Sequence, residues 1–220
     1  MKFKTVFFYM LILVLATTCG VEVDYPILEP PAFVSFTAPT FKFMKRIENS
    51  ETTFRGFELY YKFYSTTLDG QAQYFNESNL KTFEDMNRYR FRRMTRYNSE
   101  NDADTRSDSN YPLIKIPPEN RSDYSVIEID FSNLSLPYVR GVSIVDGGLG
   151  VRRGVFEAND SEYYKAFNDT DPNDDDLEDL DTVTEFVLLS VYVFSYGKKD
   201  LSIPLYSEAV HLTNISIQQF

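Results

Sequence analysis

The sequence has very few of the residues from which disulfide frameworks, soft-metal centres and nucleophilic active sites are built. Its 220 residues include one cysteine, one histidine and no tryptophan. A single cysteine excludes an intramolecular disulfide, so packing alone must hold the fold. A catalytic triad or a histidine-based metal site would have to use His211 alone. His211 alternates with Val210 and Leu212, which predicts an outward position on the last strand, and we expect neither a metal ion nor another cofactor.

Positive charge is also scarce. The chain has 22 Lys and Arg residues against 33 Asp and Glu residues, a formal net charge of −11. Proteins that bind nucleic acid usually present a basic surface to the phosphates. The composition therefore predicts that nucleic acid is not a partner.

Long hydrophobic runs are missing as well. The longest is Val6 to Ala16, eleven residues, whereas a membrane-spanning helix needs about 20. Lys2 and Lys4 precede this run, and small residues follow it up to Cys19 and Gly20. A basic head, a short apolar region and a small-residue end are typical of a secretory signal peptide.

The segment Ala16-Thr17-Thr18-Cys19 resembles a bacterial lipoprotein signal, in which the cysteine is acylated and becomes the mature N-terminus. Ala16 stands where the strict pattern has leucine, a looseness found in spirochaetes, and the chain resembles lipoproteins of the Borrelia and Treponema kind. The resemblance implies a signal peptide over residues 1–18, lipidation at Cys19 and a tether over residues 19–29. It also implies a protein held in the bacterial envelope, on the surface or the periplasmic face of the outer membrane. The alternatives are an incidental cysteine in an ordinary signal, or an uncleaved anchor.

The abundant aromatic residues, 19 Phe and 16 Tyr, favour β-strands over helices. The clearest strand is 54–64, which alternates between two faces. We expect the face with Phe57, Leu59, Tyr61 and Phe63 to be buried, and Glu58 and Lys62 on the other face to be exposed. Further strands are predicted at 32–37, 40–47, 113–116, 124–131, 138–145, 149–156, 186–196 and 208–217.

Helical signals are few. A short helix is predicted over 79–86, and 88–97 is either its continuation or an edge strand. Two helical turns are predicted over 161–167, with Asp160 as the cap. The polar stretch 99–110 is expected to be a mobile loop.

The two ends of the mature chain resemble a fibronectin type III domain. Pro30-Pro31 followed by Phe33-Val34 is similar to that family's opening strand, and Phe54 to Tyr61 is similar to its third strand. Thr184 to Val193, then Ser195-Tyr196-Gly197 and Tyr206 to Val210, resemble the final hairpin, with Phe186 in the place of the family's tyrosine. The resemblance implies a mainly β, fibronectin type III or immunoglobulin-like sandwich with a minor helical part. We expect a single domain over 30–218 with a long insertion around 65–181.

Two motifs suggest ion or phosphate binding and are explained more simply. Residues 169–181 contain eight acidic residues, and Asp171, Asn173, Asp175 and Asp179 have the spacing of calcium ligands. However, Asp176 occupies the place of the required glycine and Thr182 that of the required glutamate, so an exposed acidic loop is expected. Gly147-Gly148-Leu149-Gly150 lacks the residues of a phosphate loop and precedes a strand, so a hairpin turn is predicted there.

One unusual constellation stands out. Five arginines lie within nine residues and are interleaved with aromatic residues. The arginines are Arg88, Arg90, Arg92, Arg93 and Arg96. Guanidinium groups bind carboxylates, sulfates and phosphates in a bidentate way. One hypothesis is that this stretch is a docking patch for a partner from the envelope or the host, either a protein or a polyanion. The other is that it pairs with the protein's own acidic residues.

The sequence as a whole thus predicts a lipid-anchored envelope protein with a binding or structural role, attached to the membrane through acylated Cys19. The alternative is an envelope enzyme, such as a hydrolase, that uses clustered carboxylates. Such an enzyme would need those carboxylates in a pocket, with a raised pKa.

Overall fold

The computed structural model describes residues 27–37, 39–65, 80–97, 112–121, 126–141, 148–156, 162–171, 174–177, 186–199 and 203–218. Within these residues lie strands β1 (Ala32–Thr37), β2 (Thr40–Met44), β3 (Phe54–Ser65), β4 (Arg92–Tyr97), β5 (Ile114–Lys115), β6 (Val126–Asp130), β7 (Tyr138–Arg140), β8 (Gly148–Phe156), β9 (Glu162–Lys165), β10 (Phe186–Lys199), β11 (Ile203–Tyr206) and β12 (Val210–Gln218). Helix α1 (Phe83–Arg88) and a 3-10 turn (Pro118–Asn120) complete the described elements.

The strands form one antiparallel sheet that curls on itself. Its main order is β1-β2-β6-β7-β8-β4-β3-β10-β11, while β12 also pairs with β10, β5 with β3 and β9 with β8. Strand β4 joins the two halves, because its start pairs with β3 and its remainder pairs with β8. The predicted fold class, a mainly β sandwich with a minor helical part, is confirmed.

The two longest strands were predicted best. Strand β3 matches the predicted 54–64 almost to the residue, and β10 lies between β3 and β12, as its apolar side chains on both faces predict. Strands β7 and β8 form an antiparallel pair, as the glycine-rich segment between them predicts. Residues 142–147, which would form the turn itself, and the predicted mobile loop over 99–110 lie outside the described residues.

Two predictions about local structure were wrong or incomplete. Residues 162–165, predicted as helix, form strand β9, because they pair in register with Arg153 to Phe156 of β8. Residues 88–97 neither continue the helix nor form an edge strand. The helix ends at Arg88, and β4 has a neighbouring strand on each side. In both cases pairing with a distant strand outweighs the local pattern.

The inner core fills the space between the two halves of the curled sheet. Strand β2 contributes Phe41 and Phe43, and the predicted buried face of β3 packs against them, with ring centroids of Phe43 and Phe57 separated by 5.0 Å. The burial predicted for Phe57, Leu59, Tyr61 and Phe63 is confirmed, since each is at most 2% exposed. Strand β10 adds a matching row of branched aliphatic residues.

A second cluster of buried side chains, here called the outer cluster, covers the opposite face of β3 and β10. It contains Tyr60, Tyr64, Leu80, Met86, Phe91, Tyr192 and Phe194. Helix α1 lies over this face, and the ring of its first residue, Phe83, stacks on Tyr206 of β11 at 4.1 Å. The central strands are therefore buried on both sides.

Gly56 allows β5 to approach β3 closely. Its φ is +154°, and a Cβ atom there would lie 1.9 Å from the carbonyl oxygen of Ile114. A larger residue would have to displace backbone, so this position requires glycine.

Candidate functional site

The arginine-rich stretch begins at the C-terminus of α1. Thr82 caps the start of this helix, and Asp85 completes a capping box whose backbone hydrogen bonds lower the pKa of the Asp85 carboxyl. After the helix, Arg90 has a φ of +59°, the amide of Arg90 donates to the Asn87 carbonyl, and the amide of Phe91 donates to the Met86 carbonyl. This is a Schellman-type helix end with arginine where glycine is usual. It leaves the side chains of Arg88 and Arg90 exposed.

Arg93 enters a buried ion pair. Its Nε and Nη2 atoms donate to the two carboxylate oxygens of Glu58 at 2.5 and 2.8 Å. Glu58 is 1% exposed, so the prediction that it faces solvent was wrong. Burial raises the pKa of Glu58, and the charge of Arg93 opposes that rise.

The surroundings of this ion pair explain why Glu58 is buried. It lies on the same face of β3 as Tyr60, which packs edge-on against Phe83 and Phe194 in the outer cluster. Burial also raises the pKa of Tyr206 to about 12. The outer cluster therefore encloses a charged pair that the alternation of β3 alone does not predict.

Two further arginines of the stretch also bind groups of the protein. Arg92 pairs with Asp175 at 2.6 Å, which links β4 to the acidic run. Arg96 donates to the carbonyl oxygens of Leu113 and Pro112 at 2.7 and 3.1 Å. The structure thus brings Arg92, Arg93 and Arg96 to internal acceptors and places Arg88 and Arg90 on the surface.

A further charged group, Arg153, lies inside the protein, and its burial was not predicted. Its guanidinium is fully buried, pairs with Asp176 at 2.8 Å, and also pairs with Asp174. It donates further hydrogen bonds to the carbonyl oxygens of Ala166 and Asp169. The alternation of Leu149, Val151 and Arg153 along β8 was the available signal, because it places the arginine on the apolar face.

The acidic run corrects another prediction. Residues 169–181 were expected to be exposed, but Asp174 is 5% exposed and the side chain of Asp176 is 1% exposed. Lys165 also pairs with Asp174, and this hydrogen bond raises the pKa of Lys165. Tyr61 donates to Asp176 at 2.7 Å, while burial raises the pKa of Asp176. A buried guanidinium needs counter-charges, and these two carboxylates supply them.

The calcium-like spacing, which the sequence analysis set aside, gains no geometric support either. Asn173 and Asp179 lie outside the described residues, and Asp175 is engaged by Arg92. In the part of the chain that the structure describes, no group of three or more histidine, cysteine or acidic side chains is placed to hold a metal ion.

His211 occupies the exposed position predicted for it on β12. Its Nε2 atom lies 3.3 Å from the hydroxyl of Ser190 and 3.1 Å from the amide oxygen of Asn214. Both neighbours contact the same ring nitrogen. His211 is thus a hydrogen-bonding group at an exposed position of β12.

The remaining predicted sites concern the ends of the chain and the glycine-rich segment. Cys19 lies outside the described residues. Gly148 and Gly150 belong to strand β8, and the guanidinium of Arg152 lies 4.0 Å from the ring centre of Tyr97.

Among the described helices, none has the length and apolar character needed to cross a membrane.

Comparisons with protein-family models, with curated proteins and with solved structures found no match to this chain.

Proposed function

We propose that this chain is a lipid-anchored protein of a bacterial envelope, of the spirochaetal type, with acylated Cys19 as the anchor and a binding or structural role. One observation carries the proposal. The only cysteine of the chain follows directly on a basic head, an eleven-residue apolar run and two small residues. A chance position there is improbable for a residue that occurs once.

The first described residues support a tethered β-domain. Asn49 holds the chain at Glu29 through two hydrogen bonds of 2.6 and 2.9 Å, and Arg46 donates to the Pro30 carbonyl at 3.0 Å. Leu28 is buried in the inner core. The chain between Cys19 and Ile27 can span at most about 25–30 Å when extended. An anchor at Cys19 would thus keep the domain close to the membrane.

A binding role accords better than catalysis with the carboxylates inside the described domain. Glu58, Asp174 and Asp176 each accept from an arginine at hydrogen-bonding distance. A general acid or base must instead reach a substrate in a cleft. Arg88 at the end of α1 and Arg90 just after it are both exposed, and they are the candidate contact for an anionic partner.

The anchor is tested by replacing Cys19 with serine and expressing the full chain in a bacterium that processes lipoproteins. The proposal predicts that the Cys19→Ser chain incorporates no labelled palmitate and leaves the detergent phase after Triton X-114 partition. Thr18→Ser is the matched control, since it keeps the cysteine and should label like the parent. Equal labelling or equal partition of the Cys19→Ser chain would contradict the proposal.

A further inference from the structure

Strand β1 is an edge strand with an unusual composition. In the described part of the chain it pairs with β2 alone. Its six residues, AFVSFT, include no charge, and Phe33, Val34 and Phe36 are 49%, 43% and 54% exposed. Soluble proteins normally protect such an edge with lysine, proline or a covering element. The composition of β1 is therefore typical of a strand that pairs with a second neighbour.

A β-bulge places both phenylalanines on the same face. Phe33 pairs with Phe43 and Phe36 pairs with Phe41, and the register shifts between Phe33 and Ser35. Because cross-strand partners share a face, both rings lie on the side of the inner core, to which Phe41 and Phe43 belong. The Phe36 ring stacks on Phe41 at 5.0 Å. The aromatic row of the core therefore continues onto β1 and there meets solvent.

Strand β11, at the other end of the main order, differs. Strand β11 has Pro204 in its middle, and proline cannot donate a hydrogen bond to an added strand. In β1 the prolines lie outside the strand, at Pro30, Pro31 and Pro39. They limit any added pairing to residues 32–37 and leave that stretch open.

The sequence of β1 is symmetric about its centre in a way that fits a second copy of itself. Phe33 and Phe36 lie at equal distances from the midpoint between Val34 and Ser35, with Ala32 and Thr37 beyond them. A second β1 that runs antiparallel about a two-fold axis brings Phe33 opposite Phe36 of the other copy, twice. The absence of charge in the strand removes repulsion at this point between two chains of net charge −11.

We propose that β1 is a self-association edge, at which two copies of this chain join their sheets antiparallel about a two-fold axis. The four phenylalanines would then form one aromatic ladder that closes both inner cores. An interface of one strand pair lies at the small end of the range for specific complexes. The dimer is therefore expected to form at concentrations on the order of micromolar, as local enrichment on a surface would provide. The inference does not depend on acylation of Cys19.

The test uses the full chain in two differently tagged forms, Val34→Cys and Ser35→Cys, coexpressed and mildly oxidised. Directly opposed residues of antiparallel strands have Cβ atoms about 4.5–5.5 Å apart, close enough for a disulfide after small adjustments. The proposal predicts a disulfide-linked pair that carries both tags. Ile203→Cys on β11, which is also an exposed apolar edge residue (57%), is the matched control and should not crosslink. The parent chain gives the background from Cys19.

A second measurement asks whether the phenylalanines hold the pair together. Adding Phe33→Lys and Phe36→Lys to both tagged chains should lower the crosslinked fraction at least about tenfold, a loss of 1.4 kcal/mol or more in association free energy. Ile203→Lys should leave the fraction unchanged. Both phenylalanines are about half exposed, so the thermal midpoint should move little. If the double-lysine chain nevertheless unfolds, the cysteine pair alone decides.

Three results would overturn the proposal. The first is crosslinking no greater than with Ile203→Cys. The second is crosslinking of both cysteine chains to another protein in place of each other, which would make β1 a site for a different partner. The third is that the double-lysine chain loses binding to phospholipid vesicles while its crosslinking is unchanged, which would make β1 a membrane contact.

Discussion

The two faces of strands β3 and β10 show what the alternation of apolar and polar residues predicts about burial and what it does not. The inner face of β3 carries Phe57, Leu59 and Tyr61, and the outer face carries Glu58 and Tyr60. A period of two with polar residues on one side is typical of a half-exposed strand. In the structure both faces are buried, with Leu59 at 0%, Glu58 at 1% and Tyr60 at 5% exposure. Alternation identifies which residues share a face, but the elements that cover that face lie far away in the sequence.

The two faces also differ in how they hold charge. On the inner side Arg153 is fully buried between Asp174 and Asp176, which are themselves almost fully buried. On the outer side Glu58 has one partner, Arg93, whose side chain is 20% exposed. Water therefore reaches one member of the outer pair and no part of the Arg153 side chain. Breaking the inner group should cost more than breaking the outer pair.

The largest effect is expected from Arg153→Leu. This change leaves two buried carboxylates without their guanidinium, and breaking a buried ion pair in this way costs about 3–5 kcal/mol. We expect a loss of about 5 kcal/mol in the free energy of unfolding, measured by urea denaturation.

The matched control is Arg140→Leu, which removes an exposed arginine from β7. It should change stability by no more than about 0.5 kcal/mol. A loss below about 2 kcal/mol for Arg153→Leu would mean that the buried group is hydrated or is replaced by other contacts.

A smaller loss is expected from Arg93→Leu on the outer side. Glu58 then remains buried without its partner, at a cost of about 3 kcal/mol. The double change Glu58→Leu with Arg93→Leu should regain most of that loss, because two apolar side chains suit the outer cluster. If the two single losses simply add in the double variant, the pair is not coupled.

These two regions also separate what the sequence could predict from what it could not. The long strands β3 and β10 were predictable because each carries a strong pattern of its own over at least eleven residues. Strand β9 was not, because four residues that alternate weakly take their conformation from pairing with β8.

Burial of charge was the least predictable feature. The acidic run shows no sign in its own sequence that two of its carboxylates are buried. Their burial follows from Arg153, more than twenty residues earlier. Glu58 is likewise buried against Arg93 of β4, 35 residues later, which no local pattern in β3 could indicate. For the arginine stretch, docking and internal pairing were both open in the sequence, and only three-dimensional contacts assign Arg92, Arg93 and Arg96 to groups of the protein.

The smallest effect on stability is expected in the turn that connects α1, which lies over the outer face, to β4. Arg90 adopts a left-handed conformation that costs an L-residue about 1–2 kcal/mol and costs glycine little. Arg90→Gly should therefore stabilise the protein by about 0.5–1 kcal/mol. Arg88→Gly, two residues earlier in the helix, should destabilise it by about as much. Thermal melts of the two variants would compare them, and a loss of stability in Arg90→Gly would show that the arginine side chain contributes more than its backbone costs.

The central structural claim, that the outer face of the sheet is a second core, is tested most directly by a matched pair of truncations. Phe57 of β3 lies in the inner core and Phe194 of β10 lies in the outer cluster, and they are 1% and 0% exposed. Phe57→Ala and Phe194→Ala should each lower the free energy of unfolding by roughly 3–5 kcal/mol in urea denaturation. A loss below about 1 kcal/mol for Phe194→Ala, beside a full loss for Phe57→Ala, would contradict the claim and leave the outer face half exposed.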